Sequence, residues 1–256
     1  MTPRTRCSLL IDPPASGAWN MAVDEALLES FSEQEGCCLR FYRWQEPTLS
    51  LGYFQSVDDR RQHAPSLACP IVRRASGGGA IVHDVELTYS LVVAAENPLA
   101  QQRGRLYDTV HSTLIDSLAE LGVAEASLFG SGQGFSPDDE PFLCFQRRSP
   151  GDVVCDEAKI AGSAQRRRRG AVLQHGSVLL GRSRAAPELP GLKELTQREV
   201  ACGALIATWL SRLESCLALA FSRHSLTHAE RRRAEELVLA KYASDDWTRD
   251  RNRRPD

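Results

Sequence analysis

Lysine is scarce in this chain. Among 256 residues only Lys159, Lys193 and Lys241 are lysine, and every other basic residue is arginine. Base composition can produce such a bias, yet it also makes each lysine informative. Where a delocalised guanidinium is the default cation, a retained lysine marks a place that calls for a compact ammonium. Paired cysteines are also missing. The eight cysteines, at 7, 37, 38, 69, 144, 155, 202 and 216, form no CxxC pair and no regular framework. That excludes a disulfide scaffold, and neither the vicinal Cys37–Cys38 nor the separation of Cys144 from Cys155 fits a zinc pattern, so no metal site is expected. They read as reduced thiols in a cytoplasmic protein, most of them small buried hydrophobes. No apolar run approaches the roughly 18 residues of a membrane span. The first fourteen residues lack the basic-then-apolar order of a signal peptide. A formal net charge of −2 argues against broad nucleic-acid binding. No repeat and no linker is visible, which predicts a single domain over 1–256, long enough to bury a sizeable core.

What is present predicts an α+β fold. GAWNMAVDEALLESF at 17–31 places apolar residues at helical spacing. CLRFYRW at 38–44 and TLSLG at 48–52 read as strands. The stretch 71–94 reads as strand, glycine-rich turn, strand, a tight turn at His83–Asp84, and strand again. Residues 105–121 form an amphipathic helix that Gly122 can close. GSGQGFSPDDEP at 130–141 has the composition of a mobile loop. Two strand-like pieces follow, then a hairpin tip at RRRRG (166–170) and a return strand at 171–180. Two helices end the chain, with capping boxes at Thr196/Glu199 and Thr227/Glu230. The first of them runs through LIATWLSRLESCLALAF, and the last dozen residues are charged and expected to fray. Strands and helices do not alternate regularly, which favours a mixed sheet flanked by helices over a doubly wound one.

Four segments carry chemistry. RRASGGGAIVHD (73–84) places Arg73 before Ser76, Gly77, Gly78 and Gly79, with His83 behind them. Successive glycines let a ligand approach the backbone, and arginine supplies charge for a carboxylate or phosphate. The stretch is neither a Walker loop nor GxGxxG, and a glycine turn alone is more often structural. KIAGSAQRR (159–167) holds Lys159 followed by Gly162, Ser163 and Ala164, small residues along which a slim acyl chain can lie. Cys144 lies in PFLCFQ. A free thiol is only about 3% thiolate at neutral pH, so a nucleophilic cysteine needs a cation or base nearby. Lys159 can serve, with Arg147 or Arg148 adding field; read alone, Cys144 is better explained as a buried hydrophobe. QHGS (174–177) offers His175 as a site-lining residue or a hydrogen-bonding residue of the core. The arginine run 166–169 reads as a solvated tip that can also steer an acidic carrier domain.

Taken in order, NMAVDEALL, LRFYRWQEPTLSLGYFQ, RRASGGGAIVHD with ELTYS, KIAGSAQRR, LQHGSVLL and KYASDDWT resemble the lipoate–protein ligase and octanoyltransferase family over roughly 17–248. The resemblance implies the mixed-sheet catalytic domain shared with biotin ligases. It implies a tunnel for a lipoyl or octanoyl chain lined by the arginine pair, of which Arg73 is the member assigned by position, by the glycines and by His83, with Lys159 at the acyl carbonyl. It leaves two chemistries. M-type octanoyltransferases take octanoyl from acyl carrier protein onto a cysteine in a Cys-Phe step, with an acidic residue eight positions later. Here those are Cys144–Phe145 and Asp152, with Lys159 seven residues further on, and no cofactor is implied. The ligases activate free lipoate with ATP and Mg as lipoyl-AMP and often carry an accessory domain. In both, the acceptor is a lysine of a lipoyl domain or of the glycine-cleavage H protein. A non-catalytic member that only binds an acylated carrier is the third reading. Cys155, nearer to Lys159 in sequence, competes with Cys144.

Overall fold

A computed structural model of the chain describes residues 4–130 and 140–251. The elements, in order, are β1 (Thr5–Ile11), α1 (Gly17–Ser30), β2 (Cys37–Tyr42), β3 (Thr48–Leu51), β4 (Ile71–Arg73), β5 (Ile81–His83), β6 (Glu86–Val93), α2 (Pro98–Gln101), α3 (Arg103–Glu120), β7 (Ala126–Leu128), β8 (Val153–Cys155), β9 (Ala158–Arg168), β10 (Ala171–Leu179), α4 (Leu192–Thr196), α5 (Cys202–Cys216), β11 (Leu219–Arg223) and α6 (His228–Leu237). An eight-stranded sheet has the order β11-β1-β2-β6-β10-β9-β8-β7. β1 runs parallel to β11 and to β2, and the remaining pairings are antiparallel. A second sheet, β4-β3-β5, packs its own small core. This is the mixed sheet flanked by helices that the sequence predicts.

Period-two alternation divides the large sheet's faces. Cys37, Leu39 and Phe41 of β2 turn to one side, where α3 and α5 bring Leu106, Val110, Leu114 and Trp209. Cys38 and Tyr42 turn to the other, against Met21, Ala22 and Leu28 of α1 and Ala234 and Leu237 of α6. Within this second layer sits a buried polar cluster. Arg40, fully buried, donates to Asp12 at 2.7 Å, to Asp24 at 2.9 Å and to Asn20. Asp24 also accepts from Tyr42 at 3.0 Å and Ser90 at 2.8 Å. Burial would raise the Asp24 carboxyl, but hydrogen bonding from His175 and the charge of Arg40 hold it below the ordinary aspartate value.

Several expectations need correction. A strand, β1, precedes the first helix, which the sequence reading did not anticipate. Thr196 and Glu199 do not cap α5. Thr196 lies in the last turn of α4, which Gln197 ends in the left-handed region (φ 58°), and α5 starts after Ala201 without a side-chain cap. The helix also stops at Cys216. Ala218, at φ 50°, turns the chain so that Leu219–Arg223 can cover the edge of β1 as a strand. Cys144–Gln146 is a turn of 3-10 helix. The tip of the arginine hairpin is Arg169–Gly170 alone, both at positive φ as a two-residue hairpin turn requires, and Arg166–Arg168 belong to β9. The Thr227/Glu230 box caps α6 as expected. The loop expected at 130–141 falls outside the described residues apart from its ends.

Part of the charged C-terminal run is helical. Asp246–Asp250 forms a helical turn that buries Trp247 and Thr248. Trp247 donates to the Arg73 carbonyl at 2.9 Å, and Arg73 donates to the Thr248 carbonyl at 2.7 Å. Trp247→Ala should therefore lower unfolding free energy by about 3–5 kcal/mol. Replacing the exposed Leu239 by alanine should change it by no more than about 0.5 kcal/mol. Urea denaturation of the two variants checks both values.

Candidate active site

Most of the residues singled out from sequence converge on one cavity of about 330 Å³, within the range usual for small-ligand sites. Two strand registers explain the convergence. β9 and β10 run antiparallel with Gly162 opposite Ser177, Ser163 opposite Gly176 and Ala164 opposite His175, so the two motifs face each other across one ladder. The glycine turn joins β4 to β5 above them. Gly77, Gly78, His83, Cys144, Gly162, Ser163, Ala164 and His175 all line the cavity, together with Arg74 and the apolar walls Met21, Ile81 and Phe145.

The glycine turn is held from within. Arg74, buried, donates to the Gly77 carbonyl at 2.8 Å, the Gly79 carbonyl at 2.7 Å and the Ser50 carbonyl at 3.1 Å. Gly78 takes φ +92°, where a side chain would be strained. Ser76 Oγ lies 2.5 Å from His175 Nε2, and His175 Nδ1 lies 3.2 Å from Asp24, so the turn is tied to the buried cluster beneath α1. Arg73 is not brought to the cavity. Its guanidinium donates to the carbonyls of Gly52, Tyr53, Gln55 and Thr248, which makes it a clamp for the β3–β4 region. Adjacent residues leaving a strand point to opposite sides, so the arginine that reaches the cavity is its neighbour Arg74. His83 stacks on Trp44 at 3.8 Å between ring centres and bridges Ser50 and Glu86 at 2.8 and 2.7 Å. Burial pushes this imidazole below its ordinary value, with Glu86 opposing.

Cys144 enters from the other side. The segment 142–144 lies along the end of the glycine turn: Ala80 donates to the Phe142 carbonyl at 3.0 Å and Cys144 donates to the Ala80 carbonyl at 2.7 Å. Its thiol is partly exposed and faces the ammonium of Lys159, with Nζ to Sγ at 3.7 Å. Lys159 is 6% exposed and pairs with Asp152 at 2.8 Å. Asp152 also accepts from the Ser149 amide at 2.8 Å and the Tyr107 phenol at 3.1 Å. Burial and then the charge of Asp152 drive the Tyr107 phenol well above its ordinary range. Gly162 leaves the space that the lysine occupies, since a Cβ there would come within 2.5 Å of Lys159 Cε. Burial and Arg147 bring the Arg74 guanidinium down to about 10, with a charge on Cys144 acting against them, so Arg74 stays cationic at neutral pH and faces the thiol. Arg147 donates to the Pro141 carbonyl and pairs with Glu140, while Arg148 is exposed. Cys155, the nearer cysteine in sequence, is fully buried in β8, and burial raises its thiol. In the arginine run, Arg168 and Arg169 pair with Glu29 and Glu33, so those charges are largely neutralised at home.

A cysteine thiol and a paired lysine thus meet at a cavity beneath a glycine turn. The family model for the lipoyl protein ligase A/B catalytic domain matches residues 16–186. The chain belongs to this family. It is 33% identical to octanoyltransferase LipM of Geobacillus kaustophilus over 92% of this chain and 94% of that relative. It is 34% identical to octanoyltransferase LipM of Moorella thermoacetica, covering 94% and 97%. Among solved structures, lipoate-protein ligase A bound with ATP superposes with a TM-score of 0.72 at 23% identity, covering 96% of this chain and 98% of the other. The bi-partite lipoate protein ligase of Thermoplasma acidophilum, from a study that includes its E2 lipoyl domain, gives 0.70 at 21%, covering 99% of each. At those identities the structures speak for the fold.

Asp24, Arg74, Tyr89 and His111 were not found from sequence. Asp24 and Tyr89 stand inside NMAVDEALL and ELTYS without being singled out there, Arg74 was read only as the second member of a pair, and His111 lies on a helix with no local motif. Because Lys159 and Asp152 are both almost fully buried, Asp152→Asn should cost about 3–5 kcal/mol by leaving an ammonium without its counter-charge. Chemical denaturation at neutral pH checks this, and a loss below about 1 kcal/mol would mean that water reaches the pair.

Proposed function

We propose that this enzyme, an octanoyltransferase of protein lipoylation, works through a thioester on Cys144. The observation that carries the reading is the 3.7 Å contact of Cys144 Sγ with Lys159 Nζ at the wall of the cavity, backed by Asp152. A thiolate is the competent nucleophile, and an adjacent ammonium stabilises it. The names of the curated relatives support octanoyl as the acyl group. The donor is octanoyl on acyl carrier protein, and the acceptor is a lysine of a lipoyl domain or of the glycine-cleavage H protein. A lipoyl domain accompanies one structural neighbour, which favours that acceptor.

The octanoyl chain lies along Gly162, Ser163 and Ala164, with Ile81, Met21 and Phe145 closing it from water. Cys144 Sγ attacks the donor thioester carbon, and the C–S bond to the carrier breaks. The carrier leaves as a thiol after taking the proton that Cys144 gives up. Lys159 faces the oxyanion that forms between these events. A donor of this kind contributes about a hundredfold or more in rate. In the second half-reaction the acceptor amine attacks the Cys144 thioester, a C–N bond forms, and the cysteine is released. No ATP enters either step.

Intact-protein mass spectrometry after mixing with octanoyl-acyl carrier protein, without ATP or acceptor, should show the mass of one octanoyl group mapping to Cys144. Cys144→Ser should abolish turnover through the thioester, and Lys159→Met should slow adduct formation by about a hundredfold. Transfer that appears only with ATP and a free acid would overturn this reading in favour of an acyl-adenylate ligase.

A further inference from the structure

The second half-reaction poses a proton problem. An amine that attacks a thioester must lose a proton, and Lys159, already an ion-paired ammonium, has no place for it. A hydrogen-bonded chain that ends at the wall of the cavity Cys144 also lines does have one. His111 of α3 is fully buried, with Nδ1 at 2.6 Å from the Gly151 carbonyl and Nε2 at 2.6 Å from Ser163 Oγ. A carbonyl only accepts, so Nδ1 carries the hydrogen and the lone pair of the neutral ring is on Nε2. Ser163 must then donate to Nε2. Ser163 Oγ in turn accepts from the Tyr89 phenol at 2.7 Å, and Tyr89 accepts from Gln174 Nε2 at 2.9 Å. Each direction is set by its neighbour, and the single site that can take up a proton is His111 Nε2. Ser163 itself lines the cavity with Cys144. Gly176, directly opposite, leaves the hydroxyl room, because a Cβ there would come within 2.4 Å of Ser163 Oγ.

We propose that His111, acting through the Ser163 hydroxyl, receives the proton that the acceptor amine sheds as it attacks the Cys144 thioester. The inference rests on the covalent reading above. The amine N–H bond breaks towards Ser163 Oγ while the Ser163 hydrogen passes to His111 Nε2. The C–N bond forms and the C–S bond breaks, its electron pair returning to Cys144. His111 then gives the proton back along the same path to the Cys144 thiolate or to water. In this scheme Ser163 touches substrate and His111 is a positioning residue that acts through it.

The groups facing the ring allow this. Burial pushes His111 below the ordinary histidine value; the Gly151 carbonyl and Asp152 oppose that, Lys159 adds to it, and Asp108 opposes it again. Tyr107, on the same helix, packs tilted against the ring at 4.3 Å between centres, and Tyr89 of β6 reaches the same serine. The ring is therefore neutral near pH 7 and able to accept. It loses that capacity on acidification, when a proton occupies Nε2.

The test separates the two half-reactions. Wild type, His111→Gln and Ser163→Ala are loaded with octanoyl from octanoyl-acyl carrier protein. A lipoyl domain is then added, and the octanoyl mass on Cys144 is followed in time across pH 5–9. The expected result is that discharge to the lipoyl domain slows about a hundredfold more than loading does in both variants. The acid limb of the wild-type discharge profile should also be missing in His111→Gln. Equal slowing of loading and discharge, or an acid limb kept in His111→Gln, would overturn the relay. Absence of any adduct on wild-type Cys144 would overturn the covalent reading and the relay with it.

Discussion

The fold is organised around one buried carboxylate. Asp24, projecting from α1, accepts hydrogen bonds from β2 through Arg40 and Tyr42, from β6 through Ser90 and from β10 through His175. A carboxylate removed from water is tolerable only when paired and fully hydrogen-bonded, and here three strands must be in register to supply the partners. His175 carries the constraint onward to Ser76 and so to the glycine turn. The position of the cavity roof thus depends on the docking of α1, whose Met21 also lines the cavity.

Around this frame the cavity is made by small residues and furnished by cations. The glycines of both motifs and Ala164 hold back from the space, while Arg74, Lys159 and Arg147 surround Cys144 with positive charge. The two arginines are committed to backbone carbonyls and the lysine to Asp152. Committed cations do not reorganise when charge develops at the thiol or at a carbonyl oxygen, which is the condition under which electrostatics accelerates a reaction. The scarcity of lysine acquires a structural meaning at position 159, where the side chain and its ammonium fill the space that Gly162 leaves open.

Much of this was legible in the residues because it is local. Alternation in β6 and β10, the turn at Arg169–Gly170 and the Thr227/Glu230 cap are short-range signals, and short-range physics sets them. The motifs could be read as a constellation because the β9–β10 hairpin joins two of them by adjacency alone. The failures are tertiary. Leu219–Arg223 reads as a continuation of a helix until the open edge of β1 is considered. Trp247 sits in a charged run whose burial depends on Arg73, 174 residues earlier. His111 has no sequence signal, because its partners come from a strand 52 residues away and from a loop carbonyl. Arg73 and Arg74 differ only in the side of the strand to which each points, which the dipeptide does not encode.

The contact between Arg73 and the turn at Trp247–Thr248 has a consequence for biosynthesis. A chain emerging from the ribosome can pair β2 with β6, and later β9 with β10, as each is completed. The guanidinium that clamps the base of the glycine turn finds its last carbonyl only when residue 248 is available. Until then the nascent chain carries its cysteine and its lysine, but the glycine turn beside them lacks one of its anchors. The clamp at the base of the glycine turn is therefore complete only once the C-terminal turn has been synthesised.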